Sequence, residues 1–250
     1  MKTSPAWNLR RRLGCAAWMA CAAASTLPLV AATSIQTDHD AYYPGEDILI
    51  SFAGGPGGAK DWIGVYQPEQ EPGPVPSTIW RYVDGTQTGA VGFQNGTVSF
   101  PAGLALSGDW VAYFLLNDGY TVVATNQFKV VDPGSPLVRA SRRTYTVGET
   151  ISISFTNGPA NPKDWLGIYK EGEVPGGPQS TLWAYVDGTQ NGNVAHTDGT
   201  VTFASGLAAA GNYVVHFLLN DGYDILASET FRVEAASASV LPRIVSVSPS

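Results

Sequence analysis

The chain has 250 residues, of which 44% are hydrophobic and 14% are charged. This composition suits a globular protein and supplies enough apolar side chains for one or two domains. The formal net charge of −7, from 14 Lys and Arg against 21 Asp and Glu, argues against nucleic acid and anionic membrane surfaces as partners.

The first 32 residues have the composition of an export signal. Lys2 and the arginines at 10–12 form a basic head, an Ala-rich stretch follows to Val30, and two alanines then offer the small residues that signal peptidase requires. A transmembrane anchor is the weaker alternative, because Ser, Thr and Pro interrupt a stretch that is already short of about 20 apolar residues. We therefore predict a signal peptide at residues 1–32 and a secreted or periplasmic protein.

Removal of this segment would leave a chain without cysteine, since Cys15 and Cys21 both lie within it. Disulfides, thiol catalysis and cysteine metal sites would then be excluded. The four charged residues of the segment are all basic, so the exported chain would carry 10 Lys and Arg against 21 Asp and Glu, or 10 − 21 = −11. We expect this charge to favour solubility.

An internal duplication spans most of the remaining chain. Residues 42–131 align with residues 145–234 without a gap, and 46 of the 90 aligned positions are identical. Two copies of roughly 100 residues are too long and too few for a solenoid, so they predict two domains. We place them at 33–131 and 142–234.

The segments outside the two copies are a connection and a tail. The connection at 132–141 contains Pro and Gly and is short, which predicts a semi-rigid linker between two beads with limited swing. The tail at 235–250 resumes β character near its end, which suggests the first strand of a further module. We therefore expect the chain to be the N-terminal part of a longer protein.

Each copy consists of short β-rich runs separated by Gly, Pro and Asn. After a strand that precedes Tyr43, the runs of the first copy are residues 48–52, 62–66, 78–83, 97–100, 110–116 and 122–131. Since no segment keeps a helical period, seven strands per copy predict an all-β chain of two tandem antiparallel β-sandwiches, of immunoglobulin or fibronectin III type. Trp62 and Trp165 lie on the third strand, where such sandwiches often bury an aromatic plug.

The seven-residue run FLLNDGY occurs at 114–120 and again at 217–223. Asp118-Gly119 and Asp221-Gly222 favour a tight hairpin between the sixth and seventh strands, because glycine accepts a positive φ and aspartate caps the turn. The alternative is a ligand site used twice, since such loops lie together at one end of a sandwich, where binding sites are built.

The fourth strand of each copy carries one pair of aromatic residues two positions apart, so the two members of the pair share one face of the strand. On an inward face they would be core; on an outward face they would form a flat platform that stacks on sugar rings. Together with the hairpin, they give the candidate ligand-binding residues, for a polysaccharide or cell-surface glycoconjugate: Trp80, Tyr82, Asp118, Tyr120, Trp183, Tyr185, Asp221 and Tyr223.

The sequence contains no recognisable catalytic centre. The three histidines lie where the other copy has ordinary aromatic residues or outside the duplication, and nucleophile elbows, phosphate loops and zinc motifs are missing. Asp61, Asp84 and Asp118 could converge on calcium, but they lack the dense spacing of calcium loops, so turn and strand-end roles are favoured. We predict no catalytic residue, no metal and no cofactor.

The third strand carries a motif that resembles a known module. It reads KDWIGVY at 60–66 and KDWLGIY at 163–169. With STIW at 77–80 and the NDGY hairpin, it is similar to the fibronectin-like N-terminal domains of purple acid phosphatases and bacterial calcineurin-like metallophosphoesterases, and to the SKICH-type fold. The resemblance implies an accessory domain placed before a catalytic one, whose metal-binding motifs do not occur in this sequence.

These observations predict an exported, non-catalytic accessory or spacer module of a larger extracellular or periplasmic protein such as a metallophosphoesterase. A downstream catalytic domain is the expected partner, and neither nucleic acid nor, for the mature chain, a membrane is expected. The alternative is a tandem carbohydrate- or cell-surface-binding module that uses exposed aromatic side chains.

Overall fold

A computed structural model describes residues 32–236, which form strands joined by turns and loops. The predicted tail after residue 236 and all of the predicted signal peptide except its last residue lie outside the described residues. No helix forms within 32–236, so this part of the chain contains no helical segment long and apolar enough to cross a membrane.

The first copy contains eight strands arranged in two sheets. The strands are β1 (Ser34–Thr37), β2 (Ala41–Tyr42), β3 (Ile48–Ala53), β4 (Trp62–Tyr66), β5 (Ile79–Tyr82), β6 (Gly96–Phe100), β7 (Gly108–Leu115) and β8 (Val122–Val130). One sheet has the order β1-β3-β6 and the other has the order β2-β8-β7-β4-β5.

The second copy repeats this arrangement strand for strand. Its strands are β9 (Leu137–Ala140), β10 (Thr144–Thr146), β11 (Ile151–Thr156), β12 (Trp165–Lys170), β13 (Leu182–Tyr185), β14 (Gly199–Phe203), β15 (Gly211–Leu218) and β16 (Ile225–Glu234). The sheets have the orders β14-β11-β9 and β10-β16-β15-β12-β13. The predicted fold, two tandem immunoglobulin-like β-sandwiches, is confirmed.

Each copy has one strand more than the seven predicted, because the first strand is divided between the two sheets. β1 runs antiparallel to β3, whereas β2 runs parallel to β8 in the opposite sheet. The chain changes sheets between Thr37 and Ala41, and the Thr37 hydroxyl donates to the carbonyl of His39 at 2.7 Å in this crossing. A run of β-rich residues does not reveal which sheet its parts join, so the sequence could not show the division.

The main core of each sandwich lies between the sheets and follows the period of two that strands require. Along β3, Ile48, Ile50 and Phe52 are buried while the residues between them are exposed. They pack in one cluster with Ile63 and Val65 of β4 on the facing sheet. The equivalent residues of β11 and β12 form the core of the second sandwich.

The connection between the sandwiches differs from the predicted linker at 132–141. Leu137–Ala140 is strand β9, which pairs with β11 and belongs to the second sandwich. The remaining connection is not free of contacts, since the Tyr43 hydroxyl donates to the carbonyl of Ser135 at 2.6 Å. The connection that is not strand is therefore shorter than 132–141, and the sandwiches contact each other directly, since Arg139 of β9 donates to the Glu46 carboxylate at 2.5 Å.

Candidate functional site: an aromatic cleft in each copy

Strand β4 explains the Asp-Trp-Ile-Gly-Val-Tyr motif residue by residue. Ile63 and Val65 point into the main core, so Trp62, Gly64 and Tyr66 lie on the opposite, outer face of the sheet. All five residues are nevertheless buried, which requires a second apolar layer over the outer face. The prediction that Trp62 plugs the core between the sheets was wrong, because its ring belongs to that outer layer.

The outer layer is a small aromatic cluster in each copy. In the first copy its buried members are Trp62, Tyr66, Tyr82 and Leu115, with Trp80 and Tyr113 partly buried. In the second copy they are Trp165, Tyr169, Tyr185 and Leu218, with Trp183 and Val214 partly buried. The aromatic pairs on β5 and β13 are therefore neither core between the sheets nor a free platform.

Gly64 makes room for this cluster. A Cβ atom added there would lie 2.6 Å from Cζ3 of Trp62 and 2.9 Å from Cε2 of Tyr66, which is closer than side-chain atoms approach one another. Gly167 is in the same position between Trp165 and Tyr169, at 2.7 and 2.8 Å. The glycine of the motif is thus required so that two large rings can flank it on one face of the strand.

The aspartate of the motif fixes the hairpin to the start of the strand. Asp61 is 2% exposed, and its carboxylate accepts the backbone N–H of Gly58 at 2.8 Å and that of Asn117 at 3.1 Å. In the second copy, the fully buried Asp164 accepts the N–H of Asn220 at 3.0 Å. A buried carboxylate satisfied by backbone donors is a structural group, which explains Asp61 without a metal.

The repeated NDGY run forms the predicted tight turn, but with different residues at its centre. The N–H of Gly119 donates to the carbonyl of Leu116 at 2.8 Å, and the two residues between them, Asn117 and Asp118, have φ of 50° and 56°. These features define a type I′ turn. Positive φ was expected at the glycine, which was wrong: Asn and Asp take the left-handed positions and Gly119 follows them.

Side chains on both sides of the turn attach it to the aromatic cluster. The Tyr82 hydroxyl donates to the Asp118 carboxylate at 2.5 Å, and the Trp62 indole N–H donates to the carbonyl of Gly119 at 3.0 Å. The second copy repeats both bonds at the same distances. The hydrogen bond to Asp221 raises the pKa of the Tyr185 hydroxyl to about 12, since the bond holds the proton on the phenol.

A cleft opens over each cluster. The first has a volume of about 260 Å³ and is lined by Trp62, Tyr66, Pro76, Ser77, Trp80, Tyr82, Asp118 and Tyr120. The second has a volume of about 340 Å³ and is lined by Trp165, Tyr169, Gly177, Pro178, Gln179, Ser180, Trp183, Tyr185, Asp221 and Tyr223. Each cleft brings together four of the eight candidate residues named from the sequence.

The rings around the cleft stand at steep angles to one another. The plane of Trp62 makes 81° with Trp80 and 78° with Tyr120, at centroid distances of 6.2 and 6.1 Å. The corresponding angles around Trp165 are 83° and 77°. Such edge-to-face packing is favourable for aromatic rings, and it makes a walled recess instead of the flat platform considered above.

Sequence reasoning missed four of the lining aromatic residues: Trp62, Tyr66, Trp165 and Tyr169. The signal was present, because residues two apart on a strand share a face and the residue between them is glycine. What the sequence could not supply was the side of the sheet on which this face lies, since Ile63 and Val65 are apolar too.

The carboxylates considered for calcium have separate structural roles. Asp84 accepts the amide N–H groups of Thr86 at 2.9 Å and Ala90 at 2.8 Å. Burial would raise its pKa, but the hydrogen bonds from the hydroxyl and amide of Thr86 and from the following amides outweigh it and lower the pKa to about 2. Within 32–236, no three acidic, His or Cys side chains form a group suited to a metal ion.

Two of the histidines also have structural surroundings. His216 is buried beside Tyr169, its Nδ1 is 2.7 Å from the Ser228 hydroxyl, and burial lowers its pKa. His39 lies between the two sandwiches, where its Nδ1 is 2.9 Å from Glu229. Neither histidine lines an aromatic cleft.

No protein-family model matches the chain, and no curated protein matches it. Similar solved structures include the D0–D1 domains of intimin, with 14% identity, a TM-score of 0.34, and coverage of 80% of this chain and 96% of that chain. The polymeric immunoglobulin receptor ectodomain of a teleost fish has 14% identity and a TM-score of 0.30, with coverage of 81% and 97%.

A third similar structure is the purple acid phosphatase from yellow lupin (Lupinus luteus) seeds. It shares 12% identity with a TM-score of 0.33, and the match covers 80% of this chain and 41% of that one. This enzyme is of the class whose N-terminal domain the third-strand motif resembles. At these identities and TM-scores, the likeness is one of fold and not of function.

Proposed function

We propose that the chain is a non-catalytic accessory module, exported from the cell, whose two sandwiches form one rigid frame beside a catalytic domain such as a metallophosphoesterase. The observation that carries the proposal is a partly buried polar network between the sandwiches. The signal-like N-terminal segment supports export, and the third-strand motif supports the association with a phosphoesterase.

Glu229 is at the centre of this network. It belongs to β16 of the second sandwich and is 1% exposed. Its carboxylate accepts the backbone N–H of Asp40 at 2.9 Å and lies 2.9 Å from Nδ1 of His39, both in the first sandwich. Burial raises the pKa of Glu229, whereas His39 and Arg143 oppose that rise. A carboxylate buried by the neighbouring sandwich cannot keep these partners if the sandwiches separate.

Asp40 and Arg143 form the second part of the network. The guanidinium of Arg143 donates to the Asp40 carboxylate at 2.6 Å and to the carbonyl of Thr37 at 2.9 Å. The same carboxylate accepts the backbone N–H and the hydroxyl of Thr230 at 2.6 and 2.7 Å. Polar networks of this kind set orientation more than they add stability, which is what a spacer needs.

The duplication separates the residues of the interface from those of the clefts. Asp40 and Arg143 of the interface are 103 positions apart, the offset that relates the two copies, and the position equivalent to Glu229 is Asn126, which accepts the N–H of Thr37 within the first sandwich. These interface positions differ between the copies, whereas the cleft aromatic residues, the turn and the buried aspartate are the same in both. The positions that join the sandwiches are therefore among those that differ between the copies, which supports a fixed frame.

The distance between spin labels tests the rigid frame. Labels would be attached at Ser99→Cys and Thr202→Cys, which lie at equivalent exposed positions of β6 and β14, in a full chain with Cys15→Ser and Cys21→Ser. We expect double electron–electron resonance to give one narrow distribution of distances between the labels. The double substitution Asp40→Ala and Glu229→Ala should broaden that distribution. A control substitution at the exposed Phe93 should leave the distribution narrow. A broad distribution in the labelled protein that keeps Asp40 and Glu229 would contradict the proposal.

A second candidate function is recognition of a polysaccharide or cell-surface glycoconjugate. The observation in its favour is that the same aromatic side chains line a cleft in both copies. Its test is the tryptophan fluorescence of the full chain during titration with mixed polysaccharides. We expect quenching that disappears after Trp80→Ala with Trp183→Ala and persists after Phe93→Ala. Unchanged tryptophan emission at saturating polysaccharide would contradict carbohydrate recognition.

A further inference from the structure

We propose that each aromatic cleft binds a quaternary ammonium group, as found on choline, phosphocholine and trimethyllysine. This inference rests on the second candidate function, the use of the clefts as binding sites, and it replaces the sugar ring with a compact organic cation. Three features of the clefts carry it: the angles between the rings, the charge of the lining and the volume.

The ring geometry fits a cation better than it fits a sugar. Stacking on a pyranose requires an open, flat ring face, but Trp62 is 8% exposed and meets Trp80 and Tyr120 at 81° and 78°. Rings that pack edge to face instead surround a small recess with ring faces and ring edges. Aromatic recesses of this type bind quaternary ammonium ions, because each ring face is negative and the cation has no hydrogen-bond needs.

The charge of the lining is negative. Each cleft has one carboxylate, Asp118 or Asp221, and none of the side chains that line either cleft is Lys, Arg or His. Asp118 is exposed and is held in place by the Tyr82 hydroxyl at 2.5 Å. A fixed carboxylate beside several aromatic rings would add Coulomb attraction to a cation.

The aromatic cluster already supports one ammonium from outside the cleft. Nζ of Lys60 lies 4.6 Å from the centroid of Tyr82, and Nζ of Lys163 lies 4.4 Å from that of Tyr185. Each ammonium also donates to a loop carbonyl, that of Thr88 in the first copy at 2.7 Å. Neither lysine lines a cleft, so neither ammonium occupies the space that a ligand would take.

The volumes limit the ligand to a small group. At about 260 and 340 Å³, the first cleft lies just below and the second just within the range of roughly 300–1,000 Å³ that is typical of small-molecule sites. A trimethylammonium head with a short tail fits this space, whereas an oligosaccharide would extend beyond it. The shared lining positions differ at Pro76 against Gln179, and the second cleft is also lined by Gly177 and Pro178, where the first copy has Pro74 and Val75, so we expect two sites of similar but unequal affinity.

The test is a calorimetric and fluorescence titration of the full chain with choline, using 3,3-dimethylbutanol as a neutral control of the same shape. We expect two choline sites per chain and about tenfold weaker binding of the neutral analogue, because only the cation gains the cation–π and carboxylate attraction. Asp118→Asn with Asp221→Asn keeps an acceptor for the tyrosine hydroxyls and should weaken choline binding several-fold. Phe93→Ala should leave it unchanged.

Further ligands identify the source of the group and separate the two proposals. Tighter binding of phosphocholine than of choline would identify the source as a lipid or glycan headgroup. Tighter binding of a trimethyllysine peptide would identify it as a protein tail. Both outcomes support binding of a quaternary ammonium group. Equal affinities for choline and its neutral analogue would overturn the proposal that the clefts recognise a cation. If the chain binds polysaccharides but not choline, the cation proposal is overturned and carbohydrate recognition remains. If it binds neither class of ligand, both proposals are overturned.

Discussion

Substitution of Gly64 by alanine tests whether the aromatic cluster depends on the glycine of the third-strand motif. The new Cβ would lie 2.6 Å from the Trp62 ring and 2.9 Å from the Tyr66 ring. Neither ring can move freely, because Tyr66 is fully buried and the Trp62 indole is bonded to the carbonyl of Gly119. Overpacking of this kind costs about 1–3 kcal/mol, while replacing a strand glycine returns about 0.5–1 kcal/mol. We therefore expect a net loss of about 1–2 kcal/mol.

The assay is equilibrium unfolding in urea, followed by tryptophan fluorescence, with Gly177→Ala as the matched control. Gly177 has no strained φ, and the nearest atom to its added Cβ is 3.4 Å away, so its substitution should change the free energy of unfolding by less than about 0.5 kcal/mol. A lower midpoint with an unchanged slope for Gly64→Ala alone would support the cluster. Equal stability of the two variants would refute the reasoning.

Three further substitutions test the site. Asp84→Asn with Asp187→Asn should remove a pH dependence: the pKa values of both carboxylates are lowered to about 2, so their contribution is present above about pH 4 and is lost as the pH falls toward 2. Thermal midpoints by circular dichroism should then fall less steeply below pH 4 than in the parent, and an equal fall would contradict this. Asn117→Ala should cost about 1 kcal/mol because φ is 50°, whereas Asn117→Gly should not destabilise; equal urea midpoints would reject a strained turn. Asp61→Ala leaves two backbone N–H groups without their acceptor, so unfolding in urea should show a loss of about 2–4 kcal/mol, and a loss below 1 kcal/mol would mean that solvent replaces the carboxylate.

The fold could be predicted from the sequence because strand alternation and turn residues are local signals, and both copies carry them. Period-two burial on β3 and its counterpart β11, and the turn residues between runs, follow directly from strand geometry. The division of the first strand between two sheets depends on pairing with distant strands, so it could not be read from local preference. The position of positive φ in the NDGY turn was missed because glycine is the usual residue there, while Asn and Asp also tolerate it.

The candidate site was predicted in part. Trp80, Tyr82, Asp118 and Tyr120 are together in the cleft, as the sequence suggested for residues on one face and one loop. Trp62 was placed in the wrong layer, since an apolar residue on a strand with apolar neighbours has no sequence mark for inside or outside. The contact between the sandwiches was missed because Asp40, Arg143 and Glu229 are ordinary surface residues until the two copies dock.

The claim that the equivalent clefts of the two copies are binding sites is tested most directly by the indole N–H spectrum of the full chain, recorded by nuclear magnetic resonance during ligand titration. Trp62 and Trp80 line the first cleft, Trp165 and Trp183 line the second, and Trp110 lies in the main core as an internal control. The account predicts that choline or an oligosaccharide shifts the four cleft signals in two matching pairs while the Trp110 signal stays in place. Shifts in one copy alone, or no shift at saturating concentrations of both ligands, would contradict it.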